Sequence, residues 1–203
     1  MILFLLTILF SYIGSMPFGM INLNVLHAQI NDGRKAALQM AVGAALIECA
    51  QGVVAAIIYS RLIQFTQIAD MLRIATIIVL IGLAIYYFIK PKSASADLAS
   101  ADKKSTSNPF TQGVFLSSIN FMAIPFWLII ISIISSYMIV QWDTFEIATF
   151  GVGAGLGGFL TSLTYAIIGQ RFIKPESLVY KNLNYILAVL FLGMAAFTGL
   201  TAL

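Results

Sequence analysis

Charge is scarce in this 203-residue chain: Asp, Glu, Lys and Arg together make up 9% of it, against 60% hydrophobic residues. That balance excludes an ordinary soluble domain, whose charged share is about 25%. Cysteine is nearly absent too. Cys49 stands alone, which rules out an intrachain disulfide and a thiol-redox carrier that needs two cysteines able to bridge. One histidine, His27, and one acidic residue well inside an apolar run, Glu48, leave too few hard ligands for a divalent-metal site. No metal and no cofactor are expected. A membrane enzyme would bring two or more acid, base or metal groups together, and no such set is visible. The net charge of +3, with no basic cluster interleaved with aromatics, gives no sign of a nucleic-acid partner.

What the chain has instead is six apolar runs, at about 2–30, 36–60, 71–90, 109–140, 145–170 and 180–203. A span needs roughly 20 apolar residues to cross a hydrocarbon core about 30 Å thick. Four runs fit one span each. The first and fourth would be about 45 Å long as straight helices, and both carry internal prolines, so a break or bend absorbs the excess. The first run ends without a basic leader or an Ala-x-Ala-like site, which makes it a retained span and not a signal peptide. The expected fold is an all-α polytopic membrane protein with six transmembrane helices, embedded in a lipid bilayer.

Lys and Arg placement sets the orientation. Nine of them (Arg34, Lys35, Lys90, Lys92, Lys103, Lys104, Arg171, Lys174 and Lys181) fall on one side, against Arg61 and Arg73 on the other. The first group is expected in the cytoplasm and both termini outside. Residues 91–108 are rich in Ser, Ala, Asp and Lys and read as a cytoplasmic linker. Asn108-Pro109 reads as the cap and first residue of the fourth helix, and Asn31-Asp32-Gly33 as a turn with left-handed backbone at Gly33.

The two halves, 1–90 and 109–203, align. Ala41-Val-Gly-Ala-Ala-Leu matches Gly151-Val-Gly-Ala-Gly-Leu at an offset of 110. Pro17-Phe18 meets Pro125-Phe126 at 108, and Gly82 meets Gly193 at 111. Three spans per copy is an odd number, so the second copy is inverted in the membrane. Inverted repeats with paired interrupted helices are the pattern of secondary transporters, whose substrates bind near the midplane at the breaks. The competing reading is chance similarity among Ala/Gly/Ile-rich helices.

The first break is Gly14-Ser15-Met16-Pro17-Phe18-Gly19. A proline flanked by glycines removes a backbone donor and makes non-helical dihedrals cheap. Such backbone is tolerated at membrane depth only where protein buries it or it lines a cavity. The half-helix that follows turns its free N–H groups toward the membrane centre, a setting suited to an anionic group; Asn22 or Asn24 would add a hydrogen bond. Asn120, with Ser117 and Ser118, and Pro125 form the inverted counterpart, with a mere kink or interhelical glue as the structural alternative.

On the second helix, Ala41, Ala44, Ala45, Glu48, Gln51, Gly52 and Ala55 share a small, polar face, opposite Val42, Leu46, Val53 and Ile57. An ionisable group near the bilayer centre costs at least a few kcal/mol and is a functional candidate by default. Glu48, assisted by Gln51, is the candidate proton-coupling group, alternately protonated and ionised as the site changes sides. The plainer reading is a protonated carboxyl bonded to Gln51 or Asn120. The offset of 110 sets Gly158 opposite it. Gly151, Gly155 and Gly158 read as a close-packing stripe, and Trp127, Trp142, Tyr86 and Tyr87 as belt or packing residues.

With these motifs in place, the chain resembles the LysE/RhtB family of amino-acid exporters. Gly14-Ser-Met-Pro17-Phe18-Gly19 stands for the family's Gly-x-x-Pro-Gly-Pro-like break, with Phe18 and Gly19 in place of Gly and Pro. Gly33-Arg34-Lys35-Ala-Ala matches its turn, Gly43…Glu48 its glycine and carboxylate in the second span, and Asn120 its Asn-Pro motif, with Phe121 where Pro would follow. The resemblance implies proton-driven export of amino acids or related small molecules across a bacterial plasma (inner) membrane. It leaves open a homo-oligomer. A divalent-metal or other ion transporter of similar topology and a non-transporting membrane scaffold are the alternatives.

Overall fold

The computed structural model describes residues 1–16, 20–62, 66–89, 108–120, 123–172 and 183–200. Among them are eight helices: α1 (Ile2–Ser15), α2 (Met20–Asn31), α3 (Arg34–Leu62), α4 (Thr66–Ile89), α5 (Pro109–Ser118), α6 (Ala123–Tyr137), α7 (Thr144–Phe172) and α8 (Leu183–Leu200). Two of these, α3 and the Thr144–Ile167 part of α7, are long and apolar enough to cross a membrane alone. The pair α5 and α6, bent by 68°, is long and apolar enough only when taken together, as one broken span or a re-entrant loop. The expected linker lies, up to residue 107, outside the described residues.

Local sequence explains the helix starts. Gly33 has φ 86°, so the turn before α3 uses the one residue type with no steric penalty there. Asn108 accepts the Phe110 N–H through its side chain at 3.0 Å, and Pro109 occupies the first turn of α5, where its missing donor costs nothing. At α7, Asp143 Oδ1 accepts the Glu146 N–H (2.9 Å) and Glu146 Oε2 accepts the Trp142 N–H (2.6 Å). This reciprocal cap satisfies donors that the helix itself cannot.

The centre of the bundle is the crossing of α3 and α7. Backbone and Cβ atoms of Ala45 and Cys49 abut Gly155, and Cys49 and Val53 abut Gly151. Residue numbers rise on one helix as they fall on the other, so the two run antiparallel. A second glycine face of α7 receives α1. A Cβ on Gly153 would lie 2.9 Å from Thr7 Cβ, and one on Gly157 2.6 Å from the Ile8 carbonyl oxygen. Ser11 locks the pair by donating to the Ala154 carbonyl at 2.6 Å. Small residues at this spacing let two backbones approach closely, which is how helices gain dispersion contacts in lipid. On the other side of α3, Gly43 and Gly113 bring α5 equally near.

Burial on α3 follows the face read from its sequence. Ala41, Ala44, Gly52 and Ala55 are buried, while Val42, Leu46 and Ile57 are exposed. Ala45, Glu48 and Gln51 on the inner face are half-buried, and so is Val53, which fills the space beside Gly151.

A cluster of Leu80 on α4, Ile129 and Ile133 on α6 and Ala195 on α8 stands apart, and two further apolar clusters flank the crossing of α3 and α7. One cluster joins Ile21, Val25 and Ala28 of α2 to Ala36, Ala37, Met40, Ala41 and Ala44 of α3 and Ala166 of α7. The other joins Ala55, Ala56 and Tyr59 of α3 to Trp127, Ile130, Ile131 and Ile134 of α6, Trp142, and Phe150 and Ala154 of α7. Edge-to-face rings at 5.6–5.7 Å (Trp127–Phe150, Trp142–Phe150, Tyr59–Trp142) fix the second cluster. Both tryptophans are therefore packing residues, not an interfacial belt.

Candidate functional site

Between the two apolar clusters lies a polar layer. Glu48 is the middle residue of α3, fourteen residues from either end, or about 21 Å along the axis each way. Gly158 is likewise the middle residue of α7. The two meet: the Glu48 carboxyl fills the space that a side chain on Gly158 would occupy. Its Oε2 is buried and has no hydrogen-bond partner among the described residues.

One turn along α3, the Gln51 Nε2 donates to the Ser117 carbonyl at 2.9 Å. Gln51 Oε1 and Ser117 Oγ, like Glu48 Oε2, are buried without partners. Three unpaired polar oxygens in one layer of an apolar bundle are costly. Each neutral group left so costs about 1–3 kcal/mol, and a charged one more. Native interiors pair such groups with protein, ordered water or an ion, so this layer is a place where water or a polar solute would bind.

The same layer holds the first helix break. α1 stops at Ser15 and α2 starts at Met20; Pro17 and Gly19 lie outside the described residues, as does Phe18. An interrupted helix leaves carbonyls without intrahelical partners, and here neighbouring side chains supply donors. Thr161 donates to the Tyr12 carbonyl (3.0 Å), Asn22 Nδ2 to the Ser15 carbonyl (2.6 Å) and Tyr165 to the Met16 carbonyl (2.6 Å). Ser162 donates in turn to Asn22 Oδ1 at 3.2 Å, so Asn22 is held from both ends of its amide. Ser162 sits one turn from Gly158 on α7, which puts this clamp about 6 Å along the helix from the Glu48 contact.

The second interruption precedes Pro125: α5 ends at Ser118 and α6 begins at Ala123. Pro125 lies in the first turn of α6, where a missing N–H leaves nothing unsatisfied. The two breaks touch through Gly14, whose open side is covered by the ring of Phe126. Asn24 is half-buried, whereas Asn120 and Ser118 are exposed. Of the α5 polar residues only Ser117 is fully buried, with Gln112 half-buried. The structure thus gathers Gly14, Asn22, Glu48 and Gln51 around one layer and leaves the side chain of Asn120 at its margin.

A family model for LysE type translocators matches residues 12–201, nearly the whole chain. The chain belongs to the LysE family. No curated protein and no solved structure matches it. LysE family members are translocators rather than enzymes, so this is an integral membrane transporter handling a small-molecule substrate.

In this LysE family chain, the residues that sequence reasoning missed are Thr161, Ser162 and Tyr165. All three lie in a short polar run, Thr161-Ser162-Leu163-Thr164-Tyr165, inside an otherwise apolar helix. That run was the available signal, masked by the more conspicuous glycines just before it.

Proposed function

We propose that this LysE family protein is a secondary active transporter that exports amino acids or related small metabolites by alternating access, with proton coupling through Glu48. The observation that carries this reading is the unpartnered Glu48 carboxyl at mid-helix, in a polar layer sealed on either side by an apolar cluster. A transported solute must find polar partners at the midplane and a barrier toward each face. The two clusters are candidates for the two barriers.

The α2 helix N-terminus at Met20 suits the carboxylate of an amino acid, and the Glu48 carboxylate suits its ammonium or the exchanged proton. Asn22 acts here as the clamp that holds the break open, because its amide is already engaged. An inverted repeat accounts for the frame. At the offset of 110, Ala45 pairs with Gly155 and Glu48 with Gly158, and both pairs are in contact. Equivalent residues of two copies meet only at the axis that relates them.

Flux measured in inside-out vesicles under an imposed pH gradient, across a panel of amino acids, tests the proposal. Wild type should move at least one of them in a gradient-dependent way, and Glu48→Gln should fold normally and lose that dependence. Full gradient-driven flux in Glu48→Gln would overturn the assignment of the coupling group. No gradient-dependent flux for any amino acid in wild type would favour an ion transporter or a scaffold.

A further inference from the structure

We infer that the Arg34–Lys35 end of the bundle binds an anionic phospholipid, its phosphate held by the two cations and its acyl chains lying in two apolar grooves on either side of α3. The first groove, a cavity of about 510 Å³, is lined by Arg34, Lys35, Leu38, Gln39, Val42 and Phe110. The second, about 310 Å³, is lined by Gln29, Arg34, Leu38, Leu163, Ala166 and Ile167. Arg34 and Leu38, one helical turn apart, line both. A single cation therefore stands at the head of two grooves, as the phosphate of a two-chain lipid stands at the head of its tails.

The sequence of chemistry along α3 fits that occupant. Arg34 and Lys35 are exposed at the helix end. Leu38 and Val42 follow at about 6 and 12 Å down the axis. Beyond them the wall is apolar and open: Val42, Leu46, Phe110 and Ile167 all expose large hydrophobic side chains. Asp32, the acidic residue of the preceding turn, lines neither cavity. α3 is about 43 Å long, longer than a hydrocarbon core of roughly 30 Å, so with Glu48 at the midplane Arg34 reaches the headgroup region. A soluble anion would match the cations but not the grooves, and a neutral lipid would match the grooves but leave the cations unused. Basic pockets between membrane helices are suited to anionic headgroups.

The experiment uses the full chain in detergent, with thermal melting and retained-lipid mass spectrometry as readouts. The additives are phosphatidylglycerol, phosphatidylcholine or glycerol phosphate. Phosphatidylglycerol should be retained and should raise the melting temperature, with phosphatidylcholine and glycerol phosphate giving much smaller shifts. Removing both cations (R34Q/K35Q) should weaken phosphatidylglycerol binding about 30-fold without lowering the lipid-free melting temperature. Val42→Trp, which fills the larger groove and keeps both cations, should also weaken it, and serves if the double variant does not fold. Equal retention of the two lipids, an undiminished preference in either variant, or full protection by glycerol phosphate alone would overturn the assignment. None of these outcomes bears on Glu48, so this site and the transport site stand or fall separately.

Discussion

Gly158→Ala should abolish transport while leaving the protein as stable as before. The added Cβ would fall on the Glu48 carboxyl. That carboxyl is the free end of a flexible side chain, so it can turn away until it reaches ordinary contact at about 3.4 Å. The displacement into a less favoured rotamer costs about 0.5–1.5 kcal/mol. Replacing glycine by alanine in a helix interior returns about 0.8–1 kcal/mol. The two nearly cancel, and the melting temperature should move by no more than a few degrees. The carboxyl, however, no longer sits at the crossing of α3 and α7, and gradient-driven flux in proteoliposomes should fall at least tenfold. A second substitution separates displacement from mere crowding. Glu48→Asp shortens the side chain by one methylene and should recover part of the flux when combined with Gly158→Ala, since residues in contact couple by about 0.5–3 kcal/mol. Wild-type flux in Gly158→Ala would refute the reasoning, because the position of the carboxyl would then be irrelevant. A fall in melting temperature of ten degrees or more would refute the packing argument.

Gly43→Ala should behave in the opposite way: its Cβ would meet the Phe110 carbonyl oxygen and approach the Val114 nitrogen to 3.1 Å. Backbone cannot rotate aside, so melting should show a loss of about 1–3 kcal/mol. Asn22→Ala and Tyr165→Phe each strip a donor from a carbonyl at the end of α1, and each should cost about 1–3 kcal/mol. Hydrogen exchange should then rise at residues 12–16 and not at the start of α5; an unchanged pattern would show that the break holds itself.

Single-residue chemistry was readable from the sequence wherever one residue type had one local job. Gly33, Asn108 and Pro109 announced their turn and cap because left-handed backbone and an N-cap each have few suitable residues. The small face of α3 was readable from its period alone. Pro125 misled about position: a proline marks either a break or the first turn after one, and only the fold distinguishes them. The partners of the freed α1 carbonyls were hidden for a different reason. Thr161, Asn22 and Tyr165 come from α7 and α2, and periodicity tells which face of a helix is polar but not which neighbour that face will meet. The amide partners of Asn22, Ser15 and Ser162, were hidden for the same reason, since they come from two other helices.

Under the proposed inverted repeat, the inequality of Glu48 and Gly158 follows from where they sit. Residues near an axis that relates two antiparallel helices face their own equivalents, so any side chain placed there must share its space with a copy of itself. Ala45 and Gly155 already leave little room: a Cβ on Gly155 would lie 2.7 Å from the Ala45 carbonyl oxygen. A carboxyl on both helices at the next turn would be excluded twice, by volume and by like charge in a low-dielectric layer. A frame of two similar halves can therefore keep one carboxyl at its centre only if the other half supplies a glycine. The same placement leaves that carboxyl about equally far from both ends of α3, where a group serving an inward-facing and an outward-facing state in turn has to be. In this reading the loss of symmetry at one pair of residues is what lets an otherwise paired scaffold work from both sides.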